Sequence, residues 1–183
     1  MSEENKKFRF KITVVGDGAV GKTSLIQKFT NDTFKTEYIK TIGAQFSVFD
    51  KKINGDKIKL LFWDIASQDD FNFLRPSFFK NSVAAIIVFS LEKNELGEES
   101  FKHINNWEKD IKDYCGDIPI VLFGNKVDLI DEEKIDISEI EKIVERENYL
   151  GYFTTSAKTG QGVIEAFNAI IDELYAKYKG IPV

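Results

Sequence analysis

Gly16-Asp17-Gly18-Ala19-Val20-Gly21-Lys22-Thr23 fits G-x-x-x-x-G-K-[S/T] and lies between the apolar run Phe10 to Val15 and the amphipathic segment Ser24 to Thr30. A strand before and a helix after is the context in which this pattern cradles phosphates. Glycines at both ends let the backbone turn tightly and offer successive N–H groups to phosphate oxygens, while the following helix points its positive dipole end the same way. Lys22 supplies a full charge near the β- and γ-phosphates, and the Thr23 hydroxyl is a magnesium ligand. A Gly-rich turn that binds nothing is the competing reading, and the flanking segments speak against it.

Outward from this loop the chain alternates between strand and helix patterns. Phe8 to Val15 alternates and then becomes continuously apolar, as a strand entering a sheet covered on both faces does. A helix runs from Gly21 to Phe29, and Asn31 to Gly43 reads as a long loop over the bound group. Strands at Ala44 to Ile53 and Lys57 to Asp64 flank Asn54-Gly55-Asp56, a hairpin signal that makes this pair antiparallel. Ile65 to Ser82 is a loop with a short helix, broken by Pro76. Val83 to Phe89 is a buried strand, and Glu98 to Tyr114 a single amphipathic helix with His103 one residue off its apolar stripe, read as a surface histidine. Pro119 to Phe123 is the next strand. Ser138-Glu139-Ile140-Glu141 is a capping box opening a helix to Glu147. Tyr152 to Thr155 and Val163 to Tyr178 complete the pattern.

This order predicts an α/β domain: a six-stranded, mostly parallel sheet with one antiparallel strand and helices on both faces. Ligands of such sheets bind outside the carboxyl ends of the strands. The domain is expected over residues 8–179, with Met1 to Lys7 a frayed tail and 180–183 a short end. At 183 residues and 43% hydrophobic content, one well-cored domain is expected. A net charge of −5, with no clustering of Lys and Arg expected, argues against a nucleic-acid surface. A single cysteine, Cys115, excludes an internal disulfide and fits a reducing, cytoplasmic compartment, with the thiol in a loop after a helix. The longest apolar run is far shorter than a membrane span. No lipid-anchor cysteine stands near Val183, and Met1-Ser2 offers no glycine for myristoylation.

Further site residues sit at the ends of later strands. Asp64 closes Leu60-Leu61-Phe62-Trp63, where a magnesium-directed carboxylate sits in phosphate-loop proteins. Asn125-Lys126-Val127-Asp128 follows a buried strand directly. A carboxylate accepts two hydrogen bonds from the N1–H and exocyclic amine of guanine, a donor pair adenine lacks on that edge. Asn125 and Lys126 would brace the loop and cover the base. Ser156-Ala157-Lys158 supplies a backbone N–H and a lysine stem to the same base.

With the phosphate loop, Thr41 in Tyr38-Ile39-Lys40-Thr41-Ile42-Gly43, Trp63-Asp64-Ile65-Ala66, Asn125-Lys126-Val127-Asp128 and Thr155-Ser156-Ala157-Lys158 in order, the chain resembles the Ras superfamily of small GTPases. It looks most like the Rab branch, although its phosphate loop is worded more like Rho. The resemblance implies a cytoplasmic switch that binds GTP and GDP with Mg²⁺, hydrolyses GTP slowly, and sits at membranes only through partners. It implies nucleotide contacts from Gly16 through Ser24, Phe34 edgewise on guanine, Tyr38 over the phosphates, and Thr41 on both Mg²⁺ and the γ-phosphate. Metal ligation would come from Thr23, Thr41 and, through water, Asp64. Catalysis would rest on Lys22, Thr41 and Gln68, the last orienting the attacking water. Effector, exchange and activating proteins would read the 31–43 loop (switch I), the 65–82 loop (switch II) and the triad Phe46, Trp63 and Phe78. Arg75, on switch II, reads as a solvated charge rather than an arginine finger.

Two departures from the family stand out. Ser67 occupies the place of a glycine whose N–H meets the γ-phosphate and whose backbone is free to swing. Asp69-Asp70 makes switch II more acidic than usual. Ser67 motivates one rival, a GTP-binding interaction module that scarcely hydrolyses. The other rival, a phosphate-loop kinase using ATP, conflicts with Asn125 to Asp128.

Overall fold

The computed structural model describes residues 5–35, 40–67, 73–131 and 135–180. Strand β1 (Lys7–Val15) leads into α1 (Lys22–Asn31), followed by the hairpin β2 (Ala44–Ile53) and β3 (Asp56–Ile65). Then come α2 (Arg75–Phe79), β4 (Ala84–Ser90), α3 (Glu95–Lys102), α4 (Ile104–Cys115) and β5 (Ile120–Asn125). The chain closes with α5 (Ser138–Glu147), β6 (Tyr152–Thr155) and α6 (Val163–Lys179). The strands form one sheet in the order β2-β3-β1-β4-β5-β6. β2 pairs antiparallel with β3, and every other neighbouring pair is parallel. This is the α/β phosphate-loop architecture the alternation of elements predicts.

Burial explains the continuous apolar strands. Every residue of β4 is buried, with Ala84, Ile86 and Val88 in one core and Ala85, Ile87 and Phe89 in the other. In the first core, rings from α1, β3, β5 and α6 interlock: Phe29 stacks on Phe167 at 4.5 Å, while Phe62 and Phe123 meet Phe167 edge-on at 5.2 Å. In the second, Trp107 and Ile111 of α4, Ile140 of α5 and Phe79 of α2 cover the opposite face. The hairpin turn is set by Asn54 and Gly55, both at positive φ (50° and 87°), the geometry that matches the twist of two paired strands.

The structure departs from the sequence reading in several places. The predicted Glu98–Tyr114 helix is two helices that meet at His103, and the first begins at Glu95 because the Asn94 side chain caps it through the Gly97 N–H. Ser138 is the first residue inside α5 rather than its cap, since Asp136 accepts the Ser138 N–H two residues on. Cys115 is the last residue of α4, and its thiol faces the Phe79 carbonyl at 3.4 Å. The expected tail is partly structured: β1 begins at Lys7, and the Lys6 N–H donates to Asp56 at 2.7 Å. Asp56, read as a turn residue, is a buried anchor that also accepts from the Tyr175 hydroxyl and from Lys179. It ties β3 to the end of α6, and these donors hold its carboxyl below the usual range, Lys179 first.

Candidate functional site

The carboxyl ends of β1, β3, β5 and β6 surround a cavity of about 820 Å³, a size suited to a small organic ligand. Gly18, Ala19, Gly21, Lys22, Thr23 and Ser24 line one end, and Asn125, Lys126, Asp128, Ala157 and Lys158 the other, with Phe34, Thr41 and Ser67 between them. Gly16, Asp17, Val20, Asp64 and Ser156 support these walls without lining them. Tyr38 and Gln68 lie outside the described residues, as do Asp69 and Asp70.

The phosphate loop turns as its glycines require. Gly16 has a φ of 138°, and a Cβ there would stand 2.1 Å from the Val88 carbonyl oxygen. Gly21 has a φ of 102°, and its Cβ would collide with the Asn125 amide at 2.3 Å. Lys22 is buried and donates through Nζ to the Gly16 and Asp17 carbonyls, both at 2.7 Å. Burial pushes its ammonium down to about 8, against the opposing pull of Asp64 and Asp17.

Beside Lys22, three oxygen-bearing side chains converge. The Thr23 hydroxyl donates to Asp64 Oδ2 and lies 3.0 Å from the Thr41 hydroxyl, which reaches the same carboxylate oxygen at 3.3 Å. Asp64 is 2% exposed, and its Oδ1 has no hydrogen-bond partner among the described residues. Burial raises its carboxyl above the usual range despite the hydroxyls and Lys22. Two hydroxyls and a carboxylate with an unmatched oxygen form the hard, all-oxygen donor set that suits Mg²⁺. These residues fit the ion.

At the opposite end, hydrogen bonds within the protein fix the loops. Asn125 donates through Nδ2 to the Val20 carbonyl at 2.8 Å, while its Oδ1 accepts from the Ala157 N–H at 3.2 Å and the Thr155 hydroxyl at 3.3 Å. One buried amide therefore fastens three loops together. Asp128 accepts from the Ser156 hydroxyl at 2.6 Å through Oδ1, and Lys158 stands 4.0 Å from Oδ2. Lys126 takes a left-handed conformation, φ 70°, and pairs with Glu92 at 2.5 Å. The Ser90 hydroxyl holds Glu92 in turn at 2.9 Å.

Several participants escape a motif reading. The Asp17 side chain turns away from the cavity to accept from Trp107 Nε1 at 2.9 Å, with His103 Nδ1 at 2.6 Å. His103 is a surface histidine, its side chain 41% exposed, that the break between α3 and α4 also brings to the phosphate loop. Arg75 is not solvated. It is 15% exposed, pairs with Asp110 at 2.7 Å and stacks over the Trp107 ring at 4.8 Å. The rings of Phe46, Trp63 and Phe78 run in sequence across the outer surface, at 5.9 and 6.2 Å between neighbours, with Phe46 62% exposed.

A family model described as the Ras family matches residues 11–176. The chain belongs to the Ras family. Among its relatives, the Ras-related protein Rab-13 of Mesocricetus auratus is 36% identical over 172 residues, covering 93% of this chain and 82% of that protein. Rab-10 of Diplobatis ommata is 31% identical over 178 residues, 97% of this chain and 86% of that one. Rab-18-B of Danio rerio is 35% identical over 166 residues, 90% and 78% respectively. This Ras-family protein is accordingly a Rab-like small GTP-binding switch protein, as the order of its motifs implies. No helix among its described residues is long and apolar enough to cross a membrane.

Proposed function

We propose that this Ras-family protein binds GTP across the cavity, phosphates on the Gly16–Ser24 loop and guanine against Asp128, and hydrolyses it slowly to GDP and phosphate. The observation that carries the reading is the division of one cavity: a cation, hydroxyls and a carboxylate gather at one end, and an acceptor carboxylate in a hydrogen-bonded frame stands at the other. Lys22 would leave the Gly16 and Asp17 carbonyls for the β- and γ-phosphate oxygens, where its full charge is restored. Asp128 accepts from guanine N1–H and the exocyclic amine, Ala157 would share its N–H between Asn125 Oδ1 and the base, and the stems of Lys126 and Lys158 cover the ring with Phe34 at its edge. Tyr38 closes over the phosphates.

Thr23 and Thr41 would hold Mg²⁺ directly and Asp64 through water. When bound, the ion would supply charge stabilisation to the phosphate oxygens. In the hydrolytic step, Gln68 orients a water in line with the γ-phosphorus. The new P–O bond forms as the bond to the β–γ bridging oxygen breaks, and Lys22 with the loop amides takes up the spreading negative charge. With Arg75 held by Asp110 and Trp107, an arginine finger would come from an activating partner. Effectors and regulators would read switch I, switch II and the Phe46, Trp63 and Phe78 surface, at a cytoplasmic location reached through partners.

Ser67 supports a second reading. It lines the cavity where the family's glycine would swing toward the γ-phosphate, and a serine there restricts φ and ψ. The chain is then a GTP-held interaction module with very weak hydrolysis. Single-turnover hydrolysis of bound GTP with Mg²⁺ separates the two. A GTPase hydrolyses as the parent protein and slows at least about tenfold as Gln68→Ala. An inert parent whose turnover returns in Ser67→Gly establishes the module.

A further inference from the structure

No basic run stands out along the sequence, yet the sheet register assembles one in space. β1, β2 and β3 turn Phe10, Phe49, Ile58, Leu60 and Phe62 toward the core shared with α1 and α6. Directly paired residues share a face, so the opposite side is read row by row. Lys7 pairs with Lys57 and Lys57 with Lys52; Arg9 pairs with Lys59 and Lys59 with Asp50. The next row is Lys11, Leu61 and Val48, and the one after it includes Trp63 and Phe46. The five cations of the first two rows are exposed, and Asp50, 3.4 Å from Lys59, is the one carboxylate among these rows. Lys11 extends the cationic area toward Trp63, with its ammonium 4.2 Å above that ring.

Like charges placed directly opposite one another destabilise a sheet. Lysines on β2 would blunt an edge strand, but β1 and β3 are interior strands and need no such protection. A general excess of base is not the cause either, since the whole chain carries −5. We propose that this face docks an acidic segment of a partner protein, its carboxylates over the lysine rows and its apolar residues over Val48, Leu61 and Trp63. The lysine rows run without a break into the exposed side chains of Val48 and Phe46. A segment carrying both carboxylates and apolar groups matches that sequence of surfaces. A plane of lipid headgroups matches only the first part, and it would also repel the rest of a net-acidic molecule. The inference rests on the register and does not depend on what the cavity binds.

The test is fluorescence anisotropy of a labelled short peptide rich in Glu and Leu, titrated with the full chain at low salt. Parallel titrations use the same peptide with Lys in place of Glu, vesicles of phosphatidylserine and phosphatidylcholine, and a single-stranded oligonucleotide. The acidic peptide should bind, weaken as salt rises, and lose about tenfold in affinity to the Lys7→Glu, Lys57→Glu double variant. Lys57→Gln, which removes a charge without reversing one, should lose about threefold. Lys57→Gln should melt at or above the parent temperature, because repulsion is relieved, and both variants should stay folded and bind fluorescent GDP unchanged. Absence of peptide binding, equal binding by the double variant, or tighter binding to vesicles or oligonucleotide than to the acidic peptide overturns the proposal.

Discussion

The two ends of the cavity are built on opposite plans. At the end proposed for the base, Asn125, Thr155, Ser156 and Asp128 bond to one another and to Val20 and Ala157, so the loops are held by the protein itself. At the end proposed for the phosphates, Lys22 is buried against carbonyl oxygens with its ammonium disfavoured, and Asp64 keeps an unmatched buried oxygen. A buried polar group without a full set of partners is costly. The first end is therefore preorganised, and the second gains most when an anion and its metal arrive. Recognition of the base should depend on rigidity, and tightness on charge.

Breaking the charged end should have the largest effect. Lys22→Ala should weaken binding of fluorescent GDP about a hundredfold or more, a loss on the order of 3 kcal/mol for a charge-assisted contact. Retained nucleotide affinity would dissociate this loop from phosphate binding. Next comes Asp128→Ala, expected to weaken GTP about thirtyfold and to erase its advantage over inosine triphosphate, which lacks the exocyclic amine. Competition titrations against labelled GDP measure both quantities.

Asn125→Ala attacks the frame rather than the contact. Loss of its bonds to Val20 and Ala157 should cost roughly 2 kcal/mol of stability and speed nucleotide release about tenfold, read by a thermal melt and a chase experiment. The smallest effect lies away from both ends. Arg146, then Glu108 and Lys112, hold the Glu147 carboxyl at about 2, below its ordinary 4.5. A carboxyl depressed by folding contributes stability above pH 4.5 that is lost as pH falls toward 2. Glu147→Gln should flatten the acid limb of a pH titration of the melting temperature in that window. The pair is partly exposed, so about 1–3 °C is expected at neutral pH, with GDP binding unchanged.

The parts legible in sequence were those written in contiguous residues. β4 and β5 are covered on both faces and so read as unbroken apolar runs, and the loops at strand ends kept their motif order. What escaped depends on residues far apart in the chain. Asp17 meets His103 and Trp107 only because α3 and α4 break at His103. Arg75 loses its solvation to Asp110 and Trp107 on another helix. Asp56 looked like a turn residue because its partners, Tyr175 and Lys179, lie at the far end of the chain. The lysine rows emerge only from strand register. The start of α3 moved for a local reason, since Asn94 binds the Gly97 N–H ahead of the predicted start at Glu98.

The most direct measurement is calorimetric titration of the nucleotide-stripped protein with GTP and with ATP, each with and without Mg²⁺. The two-ended cavity predicts that GTP binds far more tightly than ATP and that Mg²⁺ tightens GTP binding at least about tenfold. Equal affinity for ATP would contradict guanine recognition by Asp128. Indifference to Mg²⁺ would contradict the metal role of Thr23, Thr41 and Asp64.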